Sequence, residues 1–520
     1  MDECSGLLFV PVVEQCFVAK NSCPGVYAVY YCAPAAMRGV GLAFIVMLLL
    51  VLFVAMGFVA GELLLPNLTS ISEWFALPHV VAGLTLLAFG NGAPDLVGTY
   101  ESFKKGEVGL AVGELVGAAF FIVSIVLGSL FILYPFDIVS DTDADVDADT
   151  MAVERHNSIV RYLRDVGAFA LSVCFVILFL KDGLQRWELW VMVCLYIGYV
   201  TCVVSWEWWS GRKVRRLRAE DSLRGLWEED VRFYPVFHKQ SILNALDDSQ
   251  LGGLQLLDDG ALNAHVGIDI SDSVWKSYLS KVSLFITKIL RYIVPVLSIE
   301  EIEDGNEIED ISKWKQMLSS LVISPTLISL VFSPLQGVAG FILCVIASLG
   351  SYYIYLQLKS TNSSKFLRLS VTFIGFFAAI SFISILSSQV ISILTLISDL
   401  SQIKQSLVGL TLFALGNSTG DFVSCIIIGK RYPLMALSAC IGGPLLNLLL
   451  GLGVSGLLTS VQLSLTPSII ICSVGLLINL CVLFSVSITG WSCNRAIGIC
   501  MVAVWVFGIS IAFLIEMLIP

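Results

Sequence analysis

The chain has 520 residues, of which 57% are hydrophobic and 14% are charged, and its net charge is −11. Soluble domains carry about 25% charged residues, so a soluble globular fold is excluded. The lack of a basic domain in the sequence argues against nucleic-acid binding. Apolar runs of about 20 residues, the length that crosses a bilayer as a helix, recur along the chain. These features predict an all-α polytopic membrane protein.

Residues 1–37 precede the first apolar run and contain four of the fourteen cysteines. These are Cys4, Cys16, Cys23 and Cys32. An even cluster of cysteines in a short exoplasmic segment predicts two disulfides in an oxidising compartment, with the pairing left open. The beginning MDECSGLLFV has neither a basic n-region nor an Arg-rich amphipathic pattern. It therefore argues against a cleaved signal peptide and against a standard mitochondrial presequence.

About twelve membrane spans are predicted, in a first transmembrane half at 38–206 and a second half at 316–520. The predicted spans lie near residues 38–62, 75–100, 107–134, 160–180, 187–206, 316–333, 336–357, 367–390, 402–429, 432–458, 468–488 and 495–518. A polar region, residues 207–315, separates the two halves. Within it, SLFITKILRYIVPVL (283–297) carries Lys288 and Arg291 among apolar residues. This pattern indicates an amphipathic helix on the membrane surface, with a thirteenth span as the alternative.

The orientation follows from the distribution of Lys and Arg. The basic run GRKVRRLR (211–218) directly follows the fifth predicted span. Because Lys and Arg are enriched in cytoplasmic loops, the region 207–315 is predicted to be cytosolic. Counting back through five spans places the N-terminal segment on the exoplasmic side. The acidic stretches 141–150 and 299–310 are interpreted as solvated loops, with a regulatory role left open.

An internal repeat connects the two halves. GLTLLAFGNGAPDL (83–96) and GLTLFALGNSTGDF (409–422) agree at eight of their first thirteen positions. A second pair of similar segments follows, ELVGAAFFIVSIVLG (114–128) and ACIGGPLLNLLLGLG (439–453). Chance similarity between apolar helices would preserve Leu and Val, whereas these segments share Gly-Asn and an Asp five residues after the Gly. The sequence therefore predicts a true duplication.

The two repeats, at about 75–134 and about 402–458, are predicted to have inverted topology. By the span count, the first repeat begins on the cytosolic side and the second on the exoplasmic side. Inverted repeats are typical of secondary transporters, in which broken helices from both repeats meet near the bilayer midplane. Irregular backbone is tolerated at that depth where it lines a cavity.

Each motif contains a residue with an available backbone carbonyl, residues that interrupt a helix, an Asn and an Asp. In the order of the chain, the first motif has Ala88, Gly90, Asn91, Pro94 and Asp95. The second motif has Ala414, Gly416, Asn417, Gly420 and Asp421 in the same order. Ser418 adds a hydroxyl oxygen. The Gly and Pro residues are expected to interrupt the helices, so that carbonyls such as those of Ala88 and Ala414 face a cavity.

Two carboxylates with neutral oxygens, without His or Cys, form a site for a hard cation. Ca²⁺ takes about six to eight oxygen ligands in irregular geometry, which fits such a donor set. Without a cation, paired carboxylates repel each other and one tends to protonate, so monovalent ions or protons can replace Ca²⁺. A single intramembrane Asp can equally cap a half-helix. An Asp in both repeat motifs favours a functional role over helix capping, because a charge inside a membrane is costly and is seldom kept without a function.

The motifs GNGAPD and GNSTGD resemble the α-repeats of the calcium/cation antiporter superfamily. LPNLTSISEWFALPHVVAGLTLLAFGNGAPD and YPLMALSACIGGPLLNLLLGLG look like its cation/calcium exchanger branch, which includes mitochondrial-type sodium/calcium exchangers. The resemblance covers nearly all of the transmembrane chain. It implies that Asp95 and Asp421 bind Ca²⁺ directly. It also implies ligand roles for Asn91, Asn417 and Asn447.

The first repeat departs from the family pattern in its second helix. Many members carry a Ser-Asn pair and a further Asn or Asp there, where this chain has Ala118, Ala119 and Ile122. The second repeat keeps Asn447 at the last of these positions. The departure leaves the counter-ion and the stoichiometry open. Glu114, about two turns before Ile122, either replaces the missing ligands or lies at the luminal mouth of the pathway.

The sequence therefore predicts a secondary active antiporter that exchanges Ca²⁺ for monovalent cations by alternating access and contributes to intracellular calcium homeostasis. Na⁺ or H⁺ is the expected counter-ion, with K⁺ and Li⁺ left open. An antiporter mainly for another divalent cation such as Mn²⁺, or a cation channel, is the alternative. An intramembrane aspartyl protease is disfavoured because each Asp follows a Gly-Asn turn, so no enzyme activity is expected.

No permanently bound cofactor and no nucleic-acid partner are predicted. The expected partners are the lipid bilayer and small inorganic cations, and protein partners stay open. The four exoplasmic cysteines favour an endomembrane (ER, Golgi or vacuole) or the plasma membrane. Family resemblance makes the mitochondrial inner membrane the second choice.

Overall fold

The computed structural model describes residues 4, 12–74, 88–138, 148–181, 185–224, 290–296, 311–332, 348–352, 365–431, 433–459, 466–487 and 490–518. The helices before the polar region are α1 (Val12–Ser22), α2 (Gly25–Tyr31), α3 (Arg38–Val59), α4 (Leu65–Trp74), α5 (Ala88–Lys105), α6 (Val108–Phe121), α7 (Leu127–Leu133), α8 (Ala148–Lys181) and α9 (Arg186–Arg224). A 3₁₀ turn, Ala35–Met37, precedes α3. The π-helical turns Ala60–Leu64 and Ile122–Val126 connect α3 to α4 and α6 to α7.

The helices that follow the polar region belong to the second half. They are α10 (Ile311–Phe332), α11 (Lys365–Ser401), α12 (Gln405–Val408), α13 (Ala414–Asn417), α14 (Thr419–Arg431), α15 (Pro433–Leu446), α16 (Leu452–Thr459), α17 (Pro467–Ser485) and α18 (Arg495–Leu518). The π-helical turns Gly409–Phe413 and Asn447–Gly451 connect α12 to α13 and α15 to α16. Two short strands, β1 (Phe136–Asp137) and β2 (Ser492–Cys493), pair antiparallel.

Eight helical segments of the described chain are long and apolar enough to cross a membrane. They are Arg38–Leu68, Val108–Leu133, Arg155–Phe179, Arg186–Trp206, Leu369–Ser401, Ala436–Thr459, Pro467–Ser485 and Arg495–Glu516. Each coincides with a predicted span, which confirms an all-α polytopic membrane protein. The predicted spans 75–100 and 336–357 lie partly or largely outside the described residues. The span 316–333 falls within α10, and the span 402–429 is divided among α12, α13 and α14.

The chain divides into two compact units. The first unit comprises Met1–Ala82, Phe89–Ser102 and Ser249–Ile403, and the second comprises Gly83–Ala88, Phe103–Asp248 and Lys404–Pro520. Each unit draws on both transmembrane halves, so neither half of the sequence folds as a separate body. Long-range contacts between the halves are what an internal duplication with interleaved repeats would produce.

Disulfides stabilise the cysteine-rich segment of the first unit. Cys4 is bonded to Cys23 and Cys16 is bonded to Cys32, which confirms the two predicted disulfides and gives their pairing. The buried Tyr27 hydroxyl donates a hydrogen bond to Asp399 Oδ2 at 2.6 Å. This bond fixes the segment to the last turn of α11. The span count places the end of that helix on the exoplasmic side, together with the N-terminal segment.

The segment predicted as a surface helix, 283–297, is described only over residues 290–296. Leu290 is helical and a turn follows it, in which Val294 is fully buried. The Pro295 carbonyl accepts a hydrogen bond from Asn67 Nδ2 at 3.1 Å. A backbone carbonyl bonded to a buried side chain of a membrane span lies inside the unit. Because residues 283–289 lie outside the described part of the chain, the surface helix stays a prediction.

Glycines allow a close contact between α6 and the chain that runs from α12 to α13 in the second unit. Gly113 and Gly117 of α6 lie against this chain, in which Gly409 approaches α6 in return. A Cβ atom at Gly117 would lie 2.6 Å from the Leu410 carbonyl oxygen, which no side chain tolerates. Small residues permit two backbones to approach in this way. Close packing then holds the helices together, because the hydrophobic effect does not drive helices to associate within lipid.

The two packed segments run in the same direction. Gly109 of α6 lies near Ser406, and Gly117 lies near Ala414, so position increases together along both segments. Parallel packing requires an even number of membrane crossings between their starting points. The six crossings predicted from the third span to the ninth satisfy this condition. A thirteenth span in the polar central region would make the number odd.

The strand pair provides a second test of sidedness within the same unit. β1 follows the third predicted span and β2 precedes the last one. Phe136 lies opposite Cys493, and the Ile138 N–H donates to the Trp491 carbonyl at 2.9 Å. Two loops that pair through their backbones must lie on the same side of a membrane. The span count places both in the cytosol.

Two of the π-helical turns occupy equivalent positions in the repeats. The alignment of 114–128 with 439–453 places Ile122 opposite Asn447. These residues begin the turns Ile122–Val126 and Asn447–Gly451. The repeats therefore share a backbone irregularity although the residues that begin it differ in chemistry. This agreement supports the duplication, and π-helical turns occur frequently at functional sites.

We expect Gly117→Val to destabilise the protein by about 1–3 kcal/mol, because the new side chain must separate two packed backbones. Thermal unfolding of the purified protein in detergent measures the effect. Gly167→Val is the matched control, since a Cβ at Gly167 would meet nothing within 4 Å. Equal unfolding temperatures for the two variants would show that the close contact is absent from the folded protein.

We expect the hairpin loops KKGEV (104–108) and GKRYP (429–433) to lie on opposite sides of the membrane, the first exoplasmic and the second cytosolic. Single cysteines at Lys105 and Arg431, in a background without the native cysteines, can be labelled with an impermeant thiol reagent from either side. Labelling of both positions from the same side would contradict the inverted topology of the repeats.

Candidate functional site

The first motif lies in a continuous helix. α5 runs from Ala88 to Lys105 through Gly90, Asn91 and Pro94, so the expected interruption is absent from its described part. Pro94 has no N–H and cannot donate to the Gly90 carbonyl, which costs one backbone bond without ending the helix. The positions of the Ala88 and Asn91 side chains lie outside the described part of the structure.

A polar face of α5 begins at Asp95. The Asp95 side chain is 2% exposed, and Thr99 and Ser102 are fully buried. Residues at these spacings lie on one face of a helix. Within the described residues, the hydroxyl oxygens of Thr99 and Ser102 have no hydrogen-bond partner. Because a buried hydroxyl without a partner costs free energy, this face is a candidate for contact with water or ions.

A second buried carboxylate of α5 was missed by the sequence reasoning. Glu101 is 4% exposed, and its Oε1 accepts a hydrogen bond from Ser384 Oγ of α11 at 2.6 Å. The signal that could have revealed it is an acidic residue six positions after Asp95, directly beyond the predicted span 75–100. Carboxylates inside a membrane are rare and are functional candidates by default.

The second motif lies at a break between α13 and α14. The break is at Ser418, which has φ −82° and ψ 2°. The Ser418 N–H nevertheless donates to the Ala414 carbonyl at 3.0 Å. The expectation that the break frees this carbonyl is therefore wrong, and only its second lone pair stays available. Thr419 Oγ1 donates to the Gly416 carbonyl at 2.6 Å and closes the turn.

The motif glycines differ in how closely their neighbours approach. A Cβ at Gly90 would lie 3.1 Å from Leu65 Cδ1 and 3.4 Å from Leu68 Cδ2, both in the first unit. Gly90 therefore permits α5 to pack tightly against α4. A Cβ at Gly420 would meet nothing within 4 Å. Local packing does not require glycine at this position, and its expected role in interrupting the helix stays a prediction.

Glu114 and Asn417 form a buried pair in the second unit. Asn417 Nδ2 donates to Glu114 Oε1 at 2.5 Å, and the Glu114 side chain is fully buried. Because the carboxylate accepts from the amide nitrogen, it turns the amide oxygen away from itself. Asn417 Oδ1 and the neighbouring Ser418 Oγ are buried without a hydrogen-bond partner among the described residues. Two neutral oxygens are therefore held beside a carboxylate.

The other predicted residues of the second repeat lie on adjoining elements. Asp421 is partly buried in the first turn of α14. Asn447 is 3% exposed and begins the second π-helical turn of its repeat. The second unit thus holds Glu114, Asn417, Ser418, Asp421 and Asn447, and the first unit holds Asn91 and Asp95. Each unit carries one of the two motif carboxylates.

The oxygen donors of the second motif suit a cation that the protein must both bind and release. No group of three or more His, Cys, Asp or Glu side chains among the described residues is arranged to hold a metal ion. The second motif offers mostly amide and hydroxyl oxygens. Neutral oxygens bind hard cations such as Ca²⁺. Conduction requires binding weak enough for release, which a dense cluster of carboxylates would oppose.

A family model identifies the family to which the sequence belongs. The family described as "Sodium/calcium exchanger protein" matches residues 45–205 and 371–514, more than half of the chain. The mitochondrial sodium/calcium exchanger protein of Rattus norvegicus is 28% identical over 99% of this chain and 90% of its own length. Cation/calcium exchanger 1 of Arabidopsis thaliana is 24% identical over 79% of this chain and 68% of its own. A solved structure of the sodium-calcium exchanger NCX_Mj covers 90% of this chain and 98% of its own, at 13% identity and a TM-score of 0.39.

We expect Glu114→Ala to weaken Ca²⁺ binding about tenfold, which corresponds to about 1.4 kcal/mol. Loss of the acceptor releases the Asn417 amide, so its oxygen is no longer held in place. Glu114→Gln keeps an acceptor oxygen at the same distance along the side chain and should weaken binding less. Binding of radioactive Ca²⁺ to the purified protein measures both effects. Wild-type affinity in Glu114→Ala would show that the pair has no role in binding.

Proposed function

The chain belongs to the sodium/calcium exchanger family, within the calcium/cation antiporter superfamily, and from that membership we propose that it exchanges Ca²⁺ for a monovalent cation by secondary active antiport. The observation that carries the proposal is a pair of buried oxygens, Asn417 Oδ1 and Ser418 Oγ, which have no hydrogen-bond partner in the described part of the chain and lie beside the Glu114 carboxylate. Buried polar atoms usually find partners. A passing cation would supply the missing interaction.

We assign Asp95 and Asp421 as the charged ligands of the transported Ca²⁺. Each is the carboxylate of its repeat motif, and each follows a Gly-Asn pair by the same number of residues. Two carboxylates balance the charge of one divalent cation, or of two monovalent ones. Asn91, Asn417, Ser418 and Asn447 are assigned as neutral ligands, in keeping with the preference of Ca²⁺ for oxygen donors.

Exchange follows if the same groups serve both ions in turn. Carboxylates without a bound cation repel each other, so the empty site is unfavourable and reorientation is expected mainly with ions bound. The backbone angles of Ser418 depart from helical values, and the π-helical turns depart from the regular i→i−4 hydrogen bonding. Irregularities of this kind often mark hinges and functional sites. Alternating access through such points requires no large unfolding.

Na⁺ or H⁺ is proposed as the counter-ion. A buried carboxylate such as Glu114 can hold a monovalent cation or a proton as well as orient Asn417. The proposed membrane is an endomembrane or the plasma membrane, because two disulfides in the N-terminal segment fit an oxidising exterior or lumen. The mitochondrial inner membrane is the second candidate, from the names of the rat and human relatives.

Ca²⁺ flux in proteoliposomes tests the function. The opposite side carries a gradient of Na⁺, K⁺, Li⁺ or protons, one at a time, and Mn²⁺ replaces Ca²⁺ in a parallel series. Antiport predicts that Ca²⁺ moves only against a counter-flow of the coupled ion. Ca²⁺ movement that needs no counter-ion would identify a channel instead, and faster movement of Mn²⁺ would change the substrate.

We expect Asp95→Asn and Asp421→Asn each to abolish Ca²⁺ transport while insertion and folding are kept. Either change leaves one negative charge against a divalent cation. Asp137→Asn, in β1 and exposed, is the matched control and should transport at the wild-type rate. Flux is normalised to the amount of reconstituted protein. Near wild-type transport by a well-folded Asp95→Asn or Asp421→Asn variant would refute the assignment of that residue.

A further inference from the structure

Two buried thiols of the second unit are in contact. Cys425 of α14 and Cys440 of α15 are each 5% exposed. The Cys440 thiol donates to Cys425 Sγ with a sulfur–sulfur distance of 3.1 Å. A buried free cysteine ordinarily serves as a small apolar residue. That role does not account for two thiols placed side by side on neighbouring helices.

The thiol pair adjoins the proposed cation ligand Asp421. Cys425 follows Asp421 by four residues, so both lie on the same face of α14, about one turn apart. Asp421 is also close enough to Cys440 to interact with it electrostatically. In the first repeat the equivalent positions are Thr99 and Leu115. The backbone shared by the two repeats therefore does not require a cysteine pair at these positions, and only the second repeat has one.

We propose that Cys425 and Cys440 are a redox-active dithiol that closes to a disulfide when the protein meets a peroxide. Hydrogen peroxide first oxidises one thiol to a sulfenic acid and releases one water. The second thiol then attacks the sulfenic sulfur, the S–S bond forms and a second water leaves. The thiols lose two hydrogens in total and the peroxide is reduced to water. Hydrogen peroxide is the proposed oxidant because it is small and neutral, and each thiol residue keeps a small exposed fraction of 5%.

The disulfide links the two helices of the second repeat. α14 carries Asp421, and α15 leads directly into the π-helical turn that begins at Asn447. A covalent bond between these helices removes their freedom to move relative to each other. The consequence for transport rests on the proposed function, in which both helices supply ligands to the moving cation. Oxidation is expected to slow Ca²⁺ exchange about fivefold or more.

The chemical part of the test uses the full-length protein in proteoliposomes. Samples are treated with hydrogen peroxide, free thiols are blocked, and the protein is digested and analysed by mass spectrometry. We expect a peptide that contains Cys425 linked to one that contains Cys440, lighter by two hydrogen atoms than the reduced pair and separated by dithiothreitol. Absence of this link, or links from either residue to other cysteines instead, would overturn the proposal.

The functional part compares Ca²⁺ exchange before and after oxidation, each variant against its own reduced rate. Wild type should lose activity and recover it with dithiothreitol, while Cys425→Ser and Cys440→Ser should be insensitive to peroxide. Cys493→Ser is the matched control and should respond as wild type does. Cys493 lies in β2, outside the two helices that the disulfide would link, so its substitution leaves the thiol pair intact.

The results distinguish a failure of the redox inference from a failure of the proposed transport function. If the disulfide forms in an active protein and exchange does not change, or if Cys425→Ser loses activity as wild type does, the inference is wrong. If the reduced wild type shows no Ca²⁺ exchange at all, the proposed function fails. In that case the mass-spectrometric result still decides whether the two thiols form the bond.

Discussion

A carboxylate inside a bilayer must find polar partners in the protein, and the close packing of α6 on the α12–α13 chain meets this requirement at Glu114. The cost of a charge at membrane depth amounts to several kcal/mol. Here the Asn417 amide donates to the carboxylate, and this single bond also determines which way the amide oxygen points. The contact is possible only because α6 and the α12–α13 chain approach through glycines. Packing of small residues therefore comes first, and the orientation of a polar site follows from it.

Close packing also explains why the parallel arrangement matters. If α6 ran against the direction of the α12–α13 chain, the glycines could still meet, but Glu114 would face the beginning of the chain instead of Asn417. The parallel direction follows from the number of membrane crossings, which is a property of the whole topology. A local polar contact is thus a consequence of the global fold. The pairing of β1 with β2 depends on the same crossing number.

Much of this could be predicted from the sequence, and the limits have physical causes. Apolar length predicted the spans well because lipid imposes it directly. The duplicated motif predicted the second break near Ser418, but no sequence rule shows that the Ser418 N–H still bonds to Ala414 across it. Pro94 was expected to interrupt a helix and does not, because proline removes only one backbone N–H and the remaining bonds of α5 keep the helix continuous. The contact of Glu114 with Asn417 joins residues 303 positions apart. Only the folded chain brings such residues together.

The two repeats keep a common backbone and differ in the chemistry they place on it. The π-helical turns begin at Ile122 and at Asn447, which are equivalent positions with an apolar and a polar side chain. Thr99 of the first repeat corresponds to Cys425 of the second. Backbone symmetry is what inverted repeats need in order to exchange roles between inward-facing and outward-facing states. Side-chain asymmetry then assigns different tasks to the repeats. The second repeat pairs its amide with Glu114, and differences in ion selectivity and in sensitivity to oxidation are expected to arise there.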